Sequence, residues 1–170
     1  MAKSADLGEP ALMAVMWLRR SLTAETAMEP PAFPSGVVLS AFAPERHARK
    51  ARALLNESYA SGGGDVQAFE DWWPALQADA ECDVDLCFVV EDEKSNLLAA
   101  FAHCWTSAFI KDIAVAPSYR NHGVARGLLQ TILIRFAARG HSHLDLKVIS
   151  DNAPAIELYR SLGFTLVETN

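Results

Sequence analysis

Apolar residues recur along this 170-residue chain with two periods, and the places where the period changes mark the elements. GVVLSAF from Gly36 alternates as a strand. Pro44 then opens a helix that carries His47, Ala51, Leu54 and Leu55 toward Tyr59, until Gly62 to Gly64 interrupt it. A second helix is predicted through Phe69, Trp72, Trp73 and Leu76, with Asp65 as its cap and Pro74 kinking or dividing it. Asp85 to Val90 and Leu97 to Thr106, joined by EDEKSN with its turn formers Ser95 and Asn96, read as an antiparallel hairpin. Ala108 to Val115 is a further strand. A long helix follows, with Val124, Leu128, Ile132 and Phe136 on one face and Gly140 as its C-cap. His143 to Ile149 then forms a strand, Asn152 to Leu162 a helix, and FTLVETN leaves room for one last strand.

Residues 1–35 differ from the rest. A short apolar stretch is followed by SLTAETAMEPPAFPSG, whose three prolines and glycine break any regular element. They are expected to form an appendage, a short helix around Pro10 to Leu22 and then a linker, ahead of a domain over 36–170. The apolar run from Ala11 to Leu18 is far shorter than the ~20 residues of a membrane span. Asp6 and Glu9 stand where a signal peptide would carry positive charge, so no membrane role and a cytoplasmic setting are expected. Cys82, Cys87 and Cys104 are an odd number without a CxxC spacing, which favours reduced thiols.

Composition narrows the class further. Hydrophobic residues make up 51% and charged residues 21%, enough apolar material for one core. The formal net charge of −6 argues against a nucleic-acid partner, because neutralising phosphates takes a clustered excess of Lys and Arg. Seven carboxylates crowd Asp79 to Glu93 without a Lys or Arg. They read as a solvated rim, or as a negative funnel for a cationic amine.

The candidate chemistry begins at VAPSYRNHGVARG. Gly123 can take backbone angles that a Cβ forbids, Ala125 keeps the next turn low, and the unpaired N–H groups that open the following helix face the loop. Such a loop is an anion cradle, and a pyrophosphate suits it. A strand precedes it, a helix follows, and a second strand leads into DNAPAIELYRSLGF.

With both segments in order, from about Val37 to Phe164 the chain resembles the GNAT superfamily of acyl-CoA-dependent N-acetyltransferases. Arg120, Gly123 and Ala125 match its R/Q-x-x-G-x-G/A loop, and Asn152, Tyr159, Gly163 and Phe164 match its later Asn…Tyr…GF segment. The resemblance implies an α/β fold of the α+β type: a mixed, mostly antiparallel sheet of six to seven strands, flanked by about four helices and splayed at the cofactor site. It implies direct transfer of an acetyl group from acetyl-CoA to a small-molecule or peptide amine. The coenzyme A pyrophosphate would lie on Arg120, Asn121, His122, Gly123, Val124 and Ala125, and Asn152 and Tyr159 would complete the site. It also implies that the backbone of Ile113, Ala114 and Val115 pairs with the pantetheine arm and supplies an oxyanion donor. The family usually ends in two strands, whereas only one is available here. The N-terminal segment or a second subunit would cover the open edge, and a homodimer is the expectation. A non-catalytic acyl-CoA sensor with the same fold is the alternative function.

A primary amine titrates near ~10.4 and needs a base. Asp112 in FIKDIAV is the first candidate. Alternation places it opposite Ile113 and Lys111, amid apolar Ile110, Ile113 and Val115, with an ion pair to Lys or Arg as the competing reading. Tyr159 is the candidate acid for the departing thiolate. It lies two helical turns, about 10 Å, beyond Asn152, which also reads as an N-cap. His141 and His143 share a strand face without a third ligand, so no metal is assigned. Trp72, Trp73, His103 and Trp105 could line an aromatic acceptor pocket, and Gly62 to Gly64 could hinge over it.

Overall fold

The structure is a computed structural model that describes residues 14–28 and 30–167. Among the described residues, seven strands form one sheet in the order β2-β3-β4-β5-β6-β1-β7. The strands are β1 (Val15–Ser21), β2 (Val37–Ser40), β3 (Cys82–Asp92), β4 (Leu98–Trp105), β5 (Phe109–Val115), β6 (His143–Ile149) and β7 (Thr165–Leu166). Every pairing is antiparallel except β5 with β6. Four α-helices, α1 (Pro44–Tyr59), α2 (Phe69–Ala78), α3 (Val124–Ala138) and α4 (Ala153–Ser161), cover the two faces. This is the expected mixed, mostly antiparallel α/β architecture.

Two clusters account for the layering. Leu128, Leu129, Ile132 and Phe136 of α3 pack on Phe88, Ala102, Cys104, Leu144 and Leu146 on one side of the sheet. Ala51, Leu54 and Leu55 of α1 and Trp72 and Leu76 of α2 pack on Val89, Phe101 and Ala114 on the other. Because side chains alternate across a strand, β3, β4 and β5 serve both clusters and are apolar almost throughout. Cys87 and Cys104 are buried and Cys82 half-buried, all as free thiols. No helix of the described residues is long and apolar enough to cross a membrane.

The N-terminal expectation needs correction. The helix foreseen over residues 10–22 is, over its described part, the strand β1; residues 10–13 lie outside the described residues. β1 pairs with β6 along its whole length, from Val15 opposite Ile149 to Ser21 opposite His143, and holds β7 on its other side through Leu18 and Arg19. Its sequence, four apolar residues followed by two arginines, has no clear strand period, and the pairing with β6 is what extends it. Leu18 is buried, while Arg19 crosses to Asp145 with two hydrogen bonds of 2.7 Å, Nε to Oδ1 and Nη2 to Oδ2. These residues are therefore part of the sheet and not an appendage. β1 fills the sheet position between β6 and β7 that the expectation assigned to a further strand or a second subunit. Further on, Phe33 packs against the first cluster and the carbonyl of Ala32 lies against Gly127 in α3, so the proline-rich segment runs along that helix.

Two smaller expectations also change. The cap of α2 is Ala68, without a side-chain hydrogen bond, while the carbonyl of Asp65 accepts from Arg52 Nη2 at 3.0 Å. Pro74 sits inside α2 without dividing it.

Candidate active site

The site begins where a strand pair parts. β5 and β6 run parallel but pair only at Phe109 with Asp145 and Ile110 with Leu146. Beyond Ile110 the two strands part company, although β5 stays paired with β4 as far as Val115 opposite Ala100. The edge of Ile113, Ala114 and Val115 that faces β6 is thus left open. A cleft of about 850 Å³ fills the gap, bounded by these residues, by Lys147 to Ile149 of β6, by the loop that opens α3, and by Asn152 and Leu158 at α4.

The loop has the geometry of an anion cradle. After β5, Pro117–Tyr119 make one 3-10 turn, then Asn121 adopts φ +61° and Gly123 φ +89°. Gly123 is the N-cap of α3, with no side-chain cap. The first bond of the helix runs from the Gly127 amide to the Gly123 carbonyl at 3.1 Å, so the amides of Val124, Ala125 and Arg126 have no helical acceptor. A Cβ at Gly123 would meet nothing within 4 Å; it is the left-handed φ that calls for glycine there. Free amides and the helix dipole favour an anion there; Arg126 and Lys147 add positive charge at the border of the cleft, although Arg126 Nη2 donates to Ser161 Oγ and the Lys147 ammonium lies over the Trp17 ring. Arg120 lines the cleft with its Nε folded back onto the Val115 carbonyl at 2.9 Å, which ties the loop to the end of β5.

The other expected cofactor residues divide. Ile113, Ala114, Val115, Asn121, Val124, Ala125 and Asn152 line the cleft, whereas His122 is exposed and not among its walls. Asn152 has both of its suggested features. Its Oδ1 accepts from the Ala155 amide at 3.3 Å as the α4 cap, and it faces the cleft. Tyr159 is only 7% exposed; its ring meets that of Phe164 edge-on behind the cleft wall, and burial pushes its hydroxyl up to about 12. It therefore keeps its proton at neutral pH.

Asp112 lies elsewhere than expected. Between the pairs His103–Asp112 and Cys104–Ile110 the register shifts by one residue, so Lys111 is a bulge in β5. The bulge changes the phase of the strand. Ile110, Ile113 and Val115 belong to the α3 side, while Asp112 turns with Ala114 toward α1 and α2. Its neighbours are polar: the Tyr59 hydroxyl donates to Asp112 Oδ1 at 2.6 Å, and the Arg52 guanidinium is close enough to act on the same group. Burial and the Asp112 charge raise Tyr59 far above the ordinary phenol range, so it stays a donor. The competing ion pair is not present, since no Lys or Arg nitrogen of the described residues forms a salt bridge with Asp112.

Around Asp112 lies a second cavity, of about 260 Å³. Trp72, His103 and Trp105 are in its wall as foreseen, but Trp73 instead stacks on Phe69. Tyr59, Gly63 and Lys111 border both cavities, so the two adjoin over β5. Tyr59 and Arg52 went unremarked in the sequence. The one available signal was the place of Tyr59 at the end of α1, just before the glycine triplet, with Arg52 two turns earlier on the same helix. Three of the seven carboxylates in the acidic run bind side chains of the fold: Glu91 bonds His47 and Arg46, Asp92 receives the Tyr119 hydroxyl, and Asp83 pairs with Arg139. Only Asp79 reaches the second cavity.

The GNAT acetyltransferase family matches residues 49–164, which is more than half of the chain. The chain belongs to that family. Streptothricin acetyltransferase of Streptomyces lavendulae is 43% identical over 72 residues, 39% of this chain and 38% of that protein. The [ribosomal protein bS18]-alanine N-acetyltransferase of Escherichia coli K12 is 44% identical over 74 residues, 42% of this chain and 50% of that protein. The chain thus spans about half or less of the length of these curated relatives. Among solved structures, a GCN5-related N-acetyltransferase from Sphaerobacter thermophilus superposes with a TM-score of 0.75 at 22% identity, over 90% of this chain and 48% of that one, a likeness of fold. The Escherichia coli ribosomal-protein-S18-alanine N-acetyltransferase gives a TM-score of 0.64 at 25% identity, over 78% of this chain and 79% of that one.

Proposed function

We propose that this chain is an N-acetyltransferase that takes acetyl-CoA in the cleft between β5 and β6 and passes its acetyl group directly to an amine. The observation that carries the reading is the loop at Gly123, whose free amides open onto a cleft made by two parting strands. The residues present fit the group. The diphosphate would rest on the amides of Val124 to Arg126 near Arg120, and the pantetheine arm along Ile113 to Val115 as an added strand. Bound there, acetyl-CoA supplies an activated acyl carbon and a thiol leaving group.

The chain's own residues supply the rest. The amine approaches from the α1–α2 side, where Asp112, fixed by Tyr59, offers a negative charge. A main-chain N–H of the open β5 edge would donate to the oxygen on which negative charge develops. The Tyr159 ring lies behind the cleft wall, but its hydroxyl is close enough to act on Tyr59, which borders both cavities, and from there, protonated at neutral pH, it would donate to the departing sulfur. By their names, one similar protein acetylates streptothricin and another an alanine of ribosomal protein bS18, which supports a small-molecule or peptide amine as the acceptor. The sensor alternative drew on an absent last strand, and β1 stands in that place. A thiol-release screen of acetyl-CoA against a panel of amines tests the reading. Release with at least one amine is expected, and acetyl-CoA binding without release from any of them would reject it.

A further inference from the structure

The second cavity contains a polar group that the reading above leaves unused. His103 is 0% exposed, and among the described residues neither ring nitrogen has a hydrogen-bond partner. Buried polar atoms are nearly always partnered, so an orphaned imidazole on a cavity wall calls for an explanation. Its place is fixed by register: His103 stands opposite Cys87 on β3 and opposite Asp112 on β5. Side chains paired in this way share a face, with Cβ atoms about 4.5–5.5 Å apart.

We propose that His103 is the group that takes a proton from the acceptor's ammonium, with Asp112 beside it as the charge that stabilises the imidazolium formed. This rests on the reading that an amine enters from the α1–α2 side. The two candidates on the wall differ in what they have free. Asp112 Oδ1 already receives the Tyr59 hydroxyl, and Arg52 faces the carboxylate; His103 has a lone pair and an N–H, both uncommitted. The groups around the ring are Cys87 from β3, Lys111 and Asp112 from β5, Arg52 and Tyr59 from α1, and Asp79 after α2. Burial lowers the imidazole below its ordinary range, Asp112 opposing and Lys111 adding to the effect, so the ring is neutral at pH 7. Burial pushes the Cys87 thiol up to about 12, which keeps it a thiol.

The protons balance. One leaves the ammonium for His103, directly or over a water, and passes on to solvent. As the C–N bond forms and the C–S bond breaks, the second leaves the nitrogen and the sulfur gains one through Tyr159. The products are an amide, a free thiol and one released proton.

The test uses the full chain with histidine labelled for NMR and loaded with coenzyme A, titrated with lysine amide, spermidine, an alanine-initiated peptide and kanamycin. The His103 signals are identified by their loss in H103Q, or in H103N should that variant fold better. At least one amine is expected to move these signals and leave those of His122 and His141 in place. With that amine, H103Q is expected to lower kcat about 100-fold with KM for acetyl-CoA unchanged, and to lose the acid limb of the wild-type kcat/KM profile while Y59F keeps it. Signals unmoved by all four amines overturn the proposal, as does an H103Q profile that keeps the wild-type limb. If the signals move but wild-type protein releases no thiol, the His103–amine contact is upheld and acetyl transfer is rejected, so the two failures are separable.

Discussion

At the scale of single residues, Gly123 carries the most. Its φ of +89° is strained for any side chain, and its missing Cβ faces open space in the cleft. G123V is expected to weaken acetyl-CoA binding about 100-fold or more, by calorimetry, while strain of about 1–2 kcal/mol lowers the melting temperature by only a few degrees. Normal affinity in the variant would count against the cradle. Tyr159→Phe is expected to cut kcat by about 10²-fold or more with acetyl-CoA affinity held within about twofold; equal losses in both would remove Tyr159 from the acid role. His103 adds a pH dependence. Its folded-state pKa is depressed, so the unfolded chain binds the proton more readily, and stability is lost as pH falls from about 6.5 through the folded value. Urea unfolding at pH 7.5 and 5.5 is expected to show a smaller drop for H103Q than for wild type, and equal drops would contradict that. The cradle could be read from the sequence because a left-handed φ is written in the identity of one residue. The Tyr59–Asp112 bond could not. It depends on a bulge at Lys111 that shifts the strand phase, and periodicity alone predicts the opposite surroundings for Asp112.

At the scale of elements, the strands and helices from β2 to α4 follow their periods, and the N-terminal part does not. VMWLRRS from Val15 carries two arginines and an exposed valine, and its pairing with β6 from Ile149 to His143 is what makes it a strand. A non-local pairing of that kind leaves little local signal. Removing residues 1–22 is expected to abolish cooperative folding, because β6 becomes a bare edge, β7 loses its partner, and Leu18 and Leu22 leave the core. A truncated chain that unfolds with the full-length midpoint would contradict β1 as part of the sheet. The neighbouring strap is tested at Gly127, where a Cβ would stand 2.6 Å from the Ala32 carbonyl oxygen. Alanine improves helix propensity by about 1 kcal/mol, yet G127A is expected to lose about 1–2 kcal/mol net in urea unfolding as the strap is displaced. A net gain would mean that residues 30–33 do not rest on α3.

At the scale of the molecule, an acidic chain of net charge −6 presents a cleft bordered by Arg120, Arg126 and Lys147. The sheet of the described residues opens between β5 and β6, and the larger cleft, proposed for acetyl-CoA, meets the smaller cavity, proposed for the acceptor, over β5, with Tyr59, Gly63 and Lys111 common to both. Family and fold were therefore legible from two ordered motifs, while the acceptor side depends on how α1, α2 and the β5 bulge come together in space. The central claim is that main-chain amides after Arg120 hold a diphosphate. Calorimetry of the full chain with acetyl-CoA and with acetyl-pantetheine, which shares the thioester arm but lacks the diphosphate, tests it most directly. Saturable binding of acetyl-CoA near micromolar, about −8 kcal/mol, is predicted, with acetyl-pantetheine at least about 100-fold weaker. Equal affinity for the two, or no binding of acetyl-CoA, would contradict the account.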